Sequence, residues 1–524
     1  MSPEIDNFAH KSREVRGAER PRAGNVCIIK ELQKDMKQIR KMTIRGLLSA
    51  LLLTCFMPVE GATIEKPWDH GRLKVSDNRR YLVHEDGAPF FWLGNTAWLI
   101  SERLNRDEVE YYLTQERLQG YNVEQIQVLN AVPTYNIYGH QANDASFNFS
   151  RYSIPGVYGY WEHLDYIVDF AASQGIYIAM DCIWGSQIER MSVGKAMAYG
   201  KFLGERYKNK PNIIWMIGGD IMGDKGTDAW DALARAIKKA DPNHLMTFHP
   251  RGRTTSAWWY NDREWLDFNM FQSGHRRYGQ RNGDGDYTIK DNTEEDNWRY
   301  VLMSWPRSMG GELESEVLHP VIDGEPSYED IPQGLHDFSA PRWQAADVRR
   351  YAYWAVFGGC FGHTYGHNSI MQFMRPGLLG SFGAEKPWWE AMRDPGYQQM
   401  KYLKWLILSL PFTDRQVDQS IVAGQNGERY DYVVACRGTD YLLAYDYSGR
   451  PVSLDLTKIS GEKKNVWVMN PADGTLQYLG EMDNSVHSFS FDVAYQQGAD
   501  RVVIAIDSTK DYLRKDAARV SERF

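Results

Sequence analysis

Between Arg80 and Leu408 short apolar, strand-like runs alternate with amphipathic, helix-like stretches. That rhythm constrains the fold more than any other feature. Strands separated by helices pair in parallel, and about eight such units close into a barrel. Strand-like runs fall at 80–98, 123–130, 176–184, 212–220, 244–250, 266–273, 320–325 and 360–367. Helical spacing predicts helices over 105–119, 161–174, 194–209, 227–240, 295–304, 342–357 and 390–408. Asn105 followed by an acidic turn is a helix start, and IYIAMDCIW (176–184) is continuous in apolar residues, as a buried parallel strand is. The expected fold class is α/β, a (β/α)8 TIM barrel over residues 62–411.

After Pro411 the helical pattern stops. Strand-like runs at 430–438, 441–449, 452–456, 465–471, 488–492 and 501–507 are separated by Gly, Asn and Asp turn signals. They predict a small all-β sandwich over 412–508, followed by a loose, charged tail at 509–524. The segment 279–294 reads as a charged, Gly-rich insertion.

The first sixty residues read as processing signals. From Met36 a basic segment with Lys37, Arg40, Lys41 and Arg45 precedes an apolar run from Leu47 to Met57, with small residues before Ala62. This is the pattern of a secretory signal peptide, too short to span a membrane. Residues 1–61 are therefore expected to be an upstream extension and leader, and the mature protein exported to the periplasm or cell surface. Cys55 offers an alternative lipid attachment, although Thr54 suits it poorly. Cys182, Cys360 and Cys436 remain in the mature chain with no metal-ligand or disulfide spacing. A net charge of −8 argues against a nucleic-acid surface. The 18 Trp and 31 Tyr suit stacking on sugars as well as burial in a large core.

Active sites of such barrels lie at the C-terminal ends of the strands. The polar residues there are Asn95, Gln127, Asn130, Asp181, Trp184, Asp220, His249, Gln272, Glu325, His363 and His367. Two carboxylates stand out. Asp220 ends NIIWMIGGD, where Gly218 and Gly219 permit a sharp turn, and Glu325 ends PVIDGE, held extended by Pro326. A pair of this kind is what glycoside hydrolysis uses, one group as acid and the other as nucleophile or base. The alternative for Asp220 is a helix N-cap. Asp181 is a third rim carboxylate, suited to sugar hydroxyls or to the chemistry. His363 and His367 have metal-like spacing, but on a strand they would stand about 13 Å apart. Sugar binding suits them better, and no metal or organic cofactor is expected.

The stretches FFWLGNTAW, GIYIAMDCIWG, NIIWMIGGD, DGEPSYE and RRYAYWAVFGGCFGHTYGHNS resemble glycoside hydrolase family 140, the apiosidase-like barrels, from about Arg72 to Pro411. The β region resembles the small domain, labelled collagen-binding, that often follows this barrel. The resemblance implies a retaining hydrolase of apiosyl linkages in a plant cell-wall polysaccharide such as rhamnogalacturonan II. It implies Asp220 as acid/base and Glu325 as nucleophile, although the Asn-Glu pair of the wider clan is here Gly219-Asp220. Substrate contacts would come from Asn95, Trp98, Gln127, Asp181, Trp184, His249, Gln272, His363 and His367, with Tyr135 as a further wall. Two other readings stay open: a barrel glycosidase of cellulase-like or arabinofuranosidase-like specificity, and a non-catalytic glycan-binding or adhesion protein working through the β domain.

Overall fold

A computed structural model of the chain describes residues 64–280 and 295–521. The expected leader and nearly all of the 279–294 insertion lie outside the described residues. Residues from Glu65 onward form one compact unit.

Eight parallel strands make the barrel: β1 Trp92–Thr96, β2 Val123–Gln127, β3 Tyr177–Asp181, β4 Ile213–Ile221, β5 Met246–Pro250, β6 Asn269–Gln272, β7 Val321–Asp323 and β8 Gly362–Tyr365. A continuous ladder runs in the order β8-β1-β2-β3-β4-β5, and β6 pairs with β7. Two seams close the ring. Asp267 N donates to Met246 O between β5 and β6, and Phe361 N donates to Val321 O between β7 and β8. The helices that follow in turn are α1 Arg106–Leu118, α2 Tyr160–Ser173, α3 Val193–Tyr207, α4 Thr227–Ala240, α5 Ala257–Tyr260, α6 Asn297–Ser304, α7 Ala345–Phe357 and α8 Pro395–Leu408.

Local chemistry fixes the boundaries. Asn105 caps α1 through a reciprocal capping box with Glu108, satisfying backbone donors that the helix itself leaves open. The expected helix 390–408 is two pieces, Trp388–Ala391 and α8, because Pro395 starts a new helix better than it continues one. One unit has only the single turn α5, in a stretch where no helical period was visible. A three-stranded antiparallel sheet, Leu73–Val75, Leu82–His84 and Pro89–Phe90, precedes the barrel.

The C-terminal region is antiparallel. Strands β9 Gln416–Val417, β10 Val434–Arg437, β11 Tyr441–Asp446, β12 Val452–Asp455, β13 Lys463–Met469, β14 Leu476–Asp483, β15 Val486–Phe489 and β16 Arg501–Asp507 form a six-stranded sheet, β9-β10-β11-β16-β13-β14, and a separate β12-β15 pair. The large sheet is buried on both faces. Ala435, Leu442, Ala444, Val503 and Ala505 pack with Leu454 and Phe489 of the pair, while Val434, Leu443, Tyr445 and Ile504 join the barrel core. Runs such as YLLAY are apolar throughout because successive side chains leave by opposite faces and both faces are covered.

Two features differ from expectation. β9 and β14 had no clear signal, since β14 is an edge strand that alternates half-buried with exposed residues and contains Gly480. The tail is not loose through residue 521: Leu513 and Val520 are buried, and Val520 N donates to Gly474 O.

Barrel and β domain share a buried ion pair. Arg349 on α7 meets Asp500 through two hydrogen bonds of 2.9 and 2.7 Å, and Tyr445 also donates to Asp500. Replacing Arg349 with Ala strands a fully buried carboxylate, and breaking such a pair from one side costs about 3–5 kcal/mol. Denaturant unfolding of Arg349→Ala is expected to show a loss of that size, and an unchanged midpoint would contradict it.

Candidate active site

The strands present their C-terminal residues at one end of the barrel, and pleat parity decides which of them look inward. On β1, Trp92 Nε1 donates to Thr364 Oγ1 of β8 and Thr96 Oγ1 donates to Tyr365 O, so the even positions face the axis. Through the ladder register, Gln125 and Gln127 on β2, Asp181 on β3 and His249 on β5 share that inward face.

β4 ends in a bulge: its register with β5 shifts between Gly218 and Ile221. Gly218, Gly219 and Asp220 take φ of +111°, +90° and +48°. A Cβ on Gly218 would stand 2.2 Å from His249 O. One on Gly219 would stand 2.6 Å from the Trp184 ring and 2.7 Å from Asp181 Oδ2. Only glycine fits at either position. The turn lifts the Asp220 carboxyl to the rim, half-buried, where Oδ1 accepts from Gly252 N at 3.4 Å. Asp220 is not a helix cap, since α4 is preceded by Gly226.

Glu325 follows β7 at the same end. Gly324 packs against Met270, where a Cβ would come within 2.3 Å of sulfur, and its carbonyl accepts from Gln125 Nε2 at 2.7 Å. Glu325 O in turn accepts from Gly274 N. With its backbone fixed, the carboxyl meets two imidazoles: Oε1 lies 3.0 Å from His275 Nε2 and Oε2 lies 3.2 Å from His249 Nε2. The other nitrogen of His249, Nδ1, accepts from Asp220 N at 3.4 Å. That contact leaves Nε2 as the protonated nitrogen facing Glu325. One imidazole thus spans the two carboxylate-bearing residues. Trp98 stands edge-on to Trp184 at 5.6 Å and to His249 at 5.5 Å, forming an aromatic wall.

Known proteins bear directly on this barrel. A family model described as "Apiosidase-like, catalytic domain" matches residues 76–414. The chain belongs to the apiosidase-like family. A second model, "Putative collagen-binding domain of a collagenase", matches 417–506. A solved structure described as a glycoside hydrolase is 60% identical, covering 86% of this chain and 100% of that one, with a TM-score of 0.83. A glycoside hydrolase family 5 structure from Bacteroides vulgatus ATCC 8482 is also 60% identical over 87% of this chain and 98% of that one, at 0.84. A further structure from that organism, described as "a putative glycoside hydrolase", is 14% identical over 84% of this chain and 82% of that one at 0.58 and shares the fold. Curated proteins include no match. This apiosidase-like chain is a glycoside hydrolase.

Its two principal carboxyls are driven in opposite directions. For Glu325, burial pushes the pKa up, but contacts from His249 and His275 outweigh it and bring the value down to about 2. Asp220 moves up, first from burial and then from the Glu325 charge, with Arg251 and His249 opposing. Opposed shifts of this kind are what a pair of carboxyls needs if one is to keep a proton and the other a charge. Asp181 rises well above the ordinary range through burial and then the Glu325 charge.

Trp98, Trp184, Asp181, His249 and Gln127 gather at the inward end, and Gln272 ends β6 beside Gly252. Three expected contacts do not. Asn95 has the outward parity and donates to Tyr112 and Glu116 of α1. His363 shares that parity, opposite Leu93, and is fully buried with neither ring nitrogen hydrogen-bonded. His367 lies past β8 and pairs with Asp394 at 2.9 Å, tying that loop to the start of α8. Asn130 sits beside Glu102 in the first two loops, and Tyr135 is an exposed loop residue. His275 and Tyr328 were missed. Tyr328 packs edge-on to His275 at 4.7 Å, and the Glu325 charge adds to the burial that keeps its phenol protonated. Their sequence signal was proximity alone, three residues after Gln272 and three after Glu325. Among the described residues no group of three or more His, Cys, Asp or Glu is arranged to hold a metal ion.

A folded pKa below the ordinary value of 4.5 means that Glu325 stabilises the fold above about pH 4.5, a contribution lost as pH falls toward 2. Without His275, burial is opposed by one imidazole only. In His275→Ala the acid limb of kcat/KM is expected to move upward by roughly one unit or more. A limb that stays in place would show that His275 does not hold the anion.

Proposed function

We propose that this chain is a retaining glycoside hydrolase that cleaves apiosyl linkages in plant pectic rhamnogalacturonan II. The observation that carries the chemistry is a carboxylate held ionised by two imidazoles at the same barrel end as a second carboxyl whose pKa is raised by burial and by the Glu325 charge. The substrate rests on family membership and on the resemblance of the NIIWMIGGD and DGEPSYE stretches.

In the first displacement Asp220 donates its proton to the leaving glycosyl oxygen, and Glu325 attacks the anomeric carbon. Asp220, now ionised and supported by Gly252 N and Arg251, then takes a proton from water, which opens the glycosyl–Glu325 ester. Trp98 and Trp184 supply apolar faces for the sugar ring, and Gln127, Gln272 and His249 supply polar contacts. The leader pattern favours export to the periplasm or cell surface, so that cleavage takes place on imported or external polysaccharide.

Product analysis on rhamnogalacturonan II side chains tests both claims. Wild type is expected to release an apiose-ended product with retained anomeric configuration, and Glu325→Gln to lose at least about 1,000-fold in rate. A folded wild type inactive on these chains but active on another pectic or hemicellulosic glycan would move the specificity and leave the chemistry. Inverted product would remove the nucleophile role from Glu325.

A further inference from the structure

Asp181 stands apart from the other site carboxyls. It ends β3 on the inward face, fully buried, and neither carboxyl oxygen has a hydrogen-bond partner among the described residues. Gln127 lies beside it in register, and its Oε1 is likewise buried without a partner, as is Oε1 of Gln272. Gly219 lacks the Cβ that would press on Asp181 Oδ2, so the carboxyl keeps its space. The titratable groups that act on it are the Glu325 carboxylate just past β7, the Cys182 thiol next in the chain and the Tyr199 phenol on α3. None of these carries positive charge. A carboxylate so placed would be an uncompensated buried anion beside another anion.

A protonated carboxyl has one O–H donor and one C=O acceptor. That complement suits two neighbouring hydroxyls of a sugar, one accepting and one donating. We propose that Asp181 is a substrate-binding residue that works as a neutral carboxylic acid, gripping a vicinal hydroxyl pair of the sugar presented to Glu325. This rests on the glycosidase reading of the site. It is a different task from that of Asp220. A general acid spends part of each cycle ionised, and Asp220 has Gly252 N and Arg251 to receive the charge. Asp181 has no such support, so its proton stays.

Thermal unfolding of the full chain without ligand, from pH 4 to pH 8, tests the protonation directly. An unfolded aspartate ionises near pH 3.9, whereas folded Asp181 holds its proton. Wild type therefore loses stability relative to Asp181→Asn as pH rises, because asparagine keeps a donor and an acceptor and never ionises. The variant is expected to match wild type near pH 4 and to melt at progressively higher temperature through pH 8. A variant no more stable than wild type, or a gap that stops widening below pH 6, would overturn the proposal. Calorimetric binding of free apiose supplies the second arm. Asp181→Ala should bind about 10- to 100-fold more weakly, and Asp181→Asn should lose about 5-fold or less. Equal affinity in Asp181→Ala would overturn the binding role. A wild type that ignores apiose would overturn the choice of sugar, and the unfolding arm would still decide the protonation.

Discussion

Keeping Glu325 ionised inside a barrel mouth is the constraint on which the rest of the site depends. Burial alone would favour the protonated form of that carboxyl. His249 and His275 reverse the balance, and each needs its own support. His249 is oriented by the backbone N–H of Asp220, so one side chain links the Asp220 backbone to the Glu325 carboxylate. His275 is hemmed in by Tyr328. Burial raises the pKa of both Asp220 and Asp181, and the resulting negative charge raises each of them further.

The backbone bears the cost of this arrangement. Three consecutive residues at the end of β4 take positive φ, and the non-glycine among them is Asp220. Such a conformation costs on the order of 1–3 kcal/mol at a non-glycine residue. It is sustained by the ladder on both sides of β4 and by the close fit of Gly218 and Gly219 against His249, Trp184 and Asp181. The β domain stiffens the opposite side of the barrel through Arg349–Asp500 and through stacking of Tyr353 on Tyr445 at 4.8 Å. It is packed as part of the same core, which is why its central strands lack a polar face.

Much of this was readable from residue order. Helix α4 begins and ends where its pattern does, and both GGD and DGE fall at strand ends facing the mouth. The failures are physical. Asn95 and Thr96 are both polar at the end of β1, and only the ladder phase decides that Thr96 faces the axis and Asn95 the helices. His363 fails by the same one-residue parity. His367 makes a hydrogen bond with Asp394, which lies 27 positions away in sequence. His275 and Tyr328 escaped because they sit in loops, where no period announces which way a side chain points. The edge strand β14 escaped because its exposed positions carry no apolar alternation.

The central claim is that Glu325 forms a covalent bond to the sugar while Asp220 handles the proton. A 2-deoxy-2-fluoro apiosyl donor with a good leaving group slows both displacements and lets the intermediate accumulate. Intact-mass and peptide mass spectrometry after such treatment should find one added glycosyl unit, carried on Glu325. An adduct on Asp220 or Asp181, or turnover of the donor with the protein mass unchanged, would contradict the account.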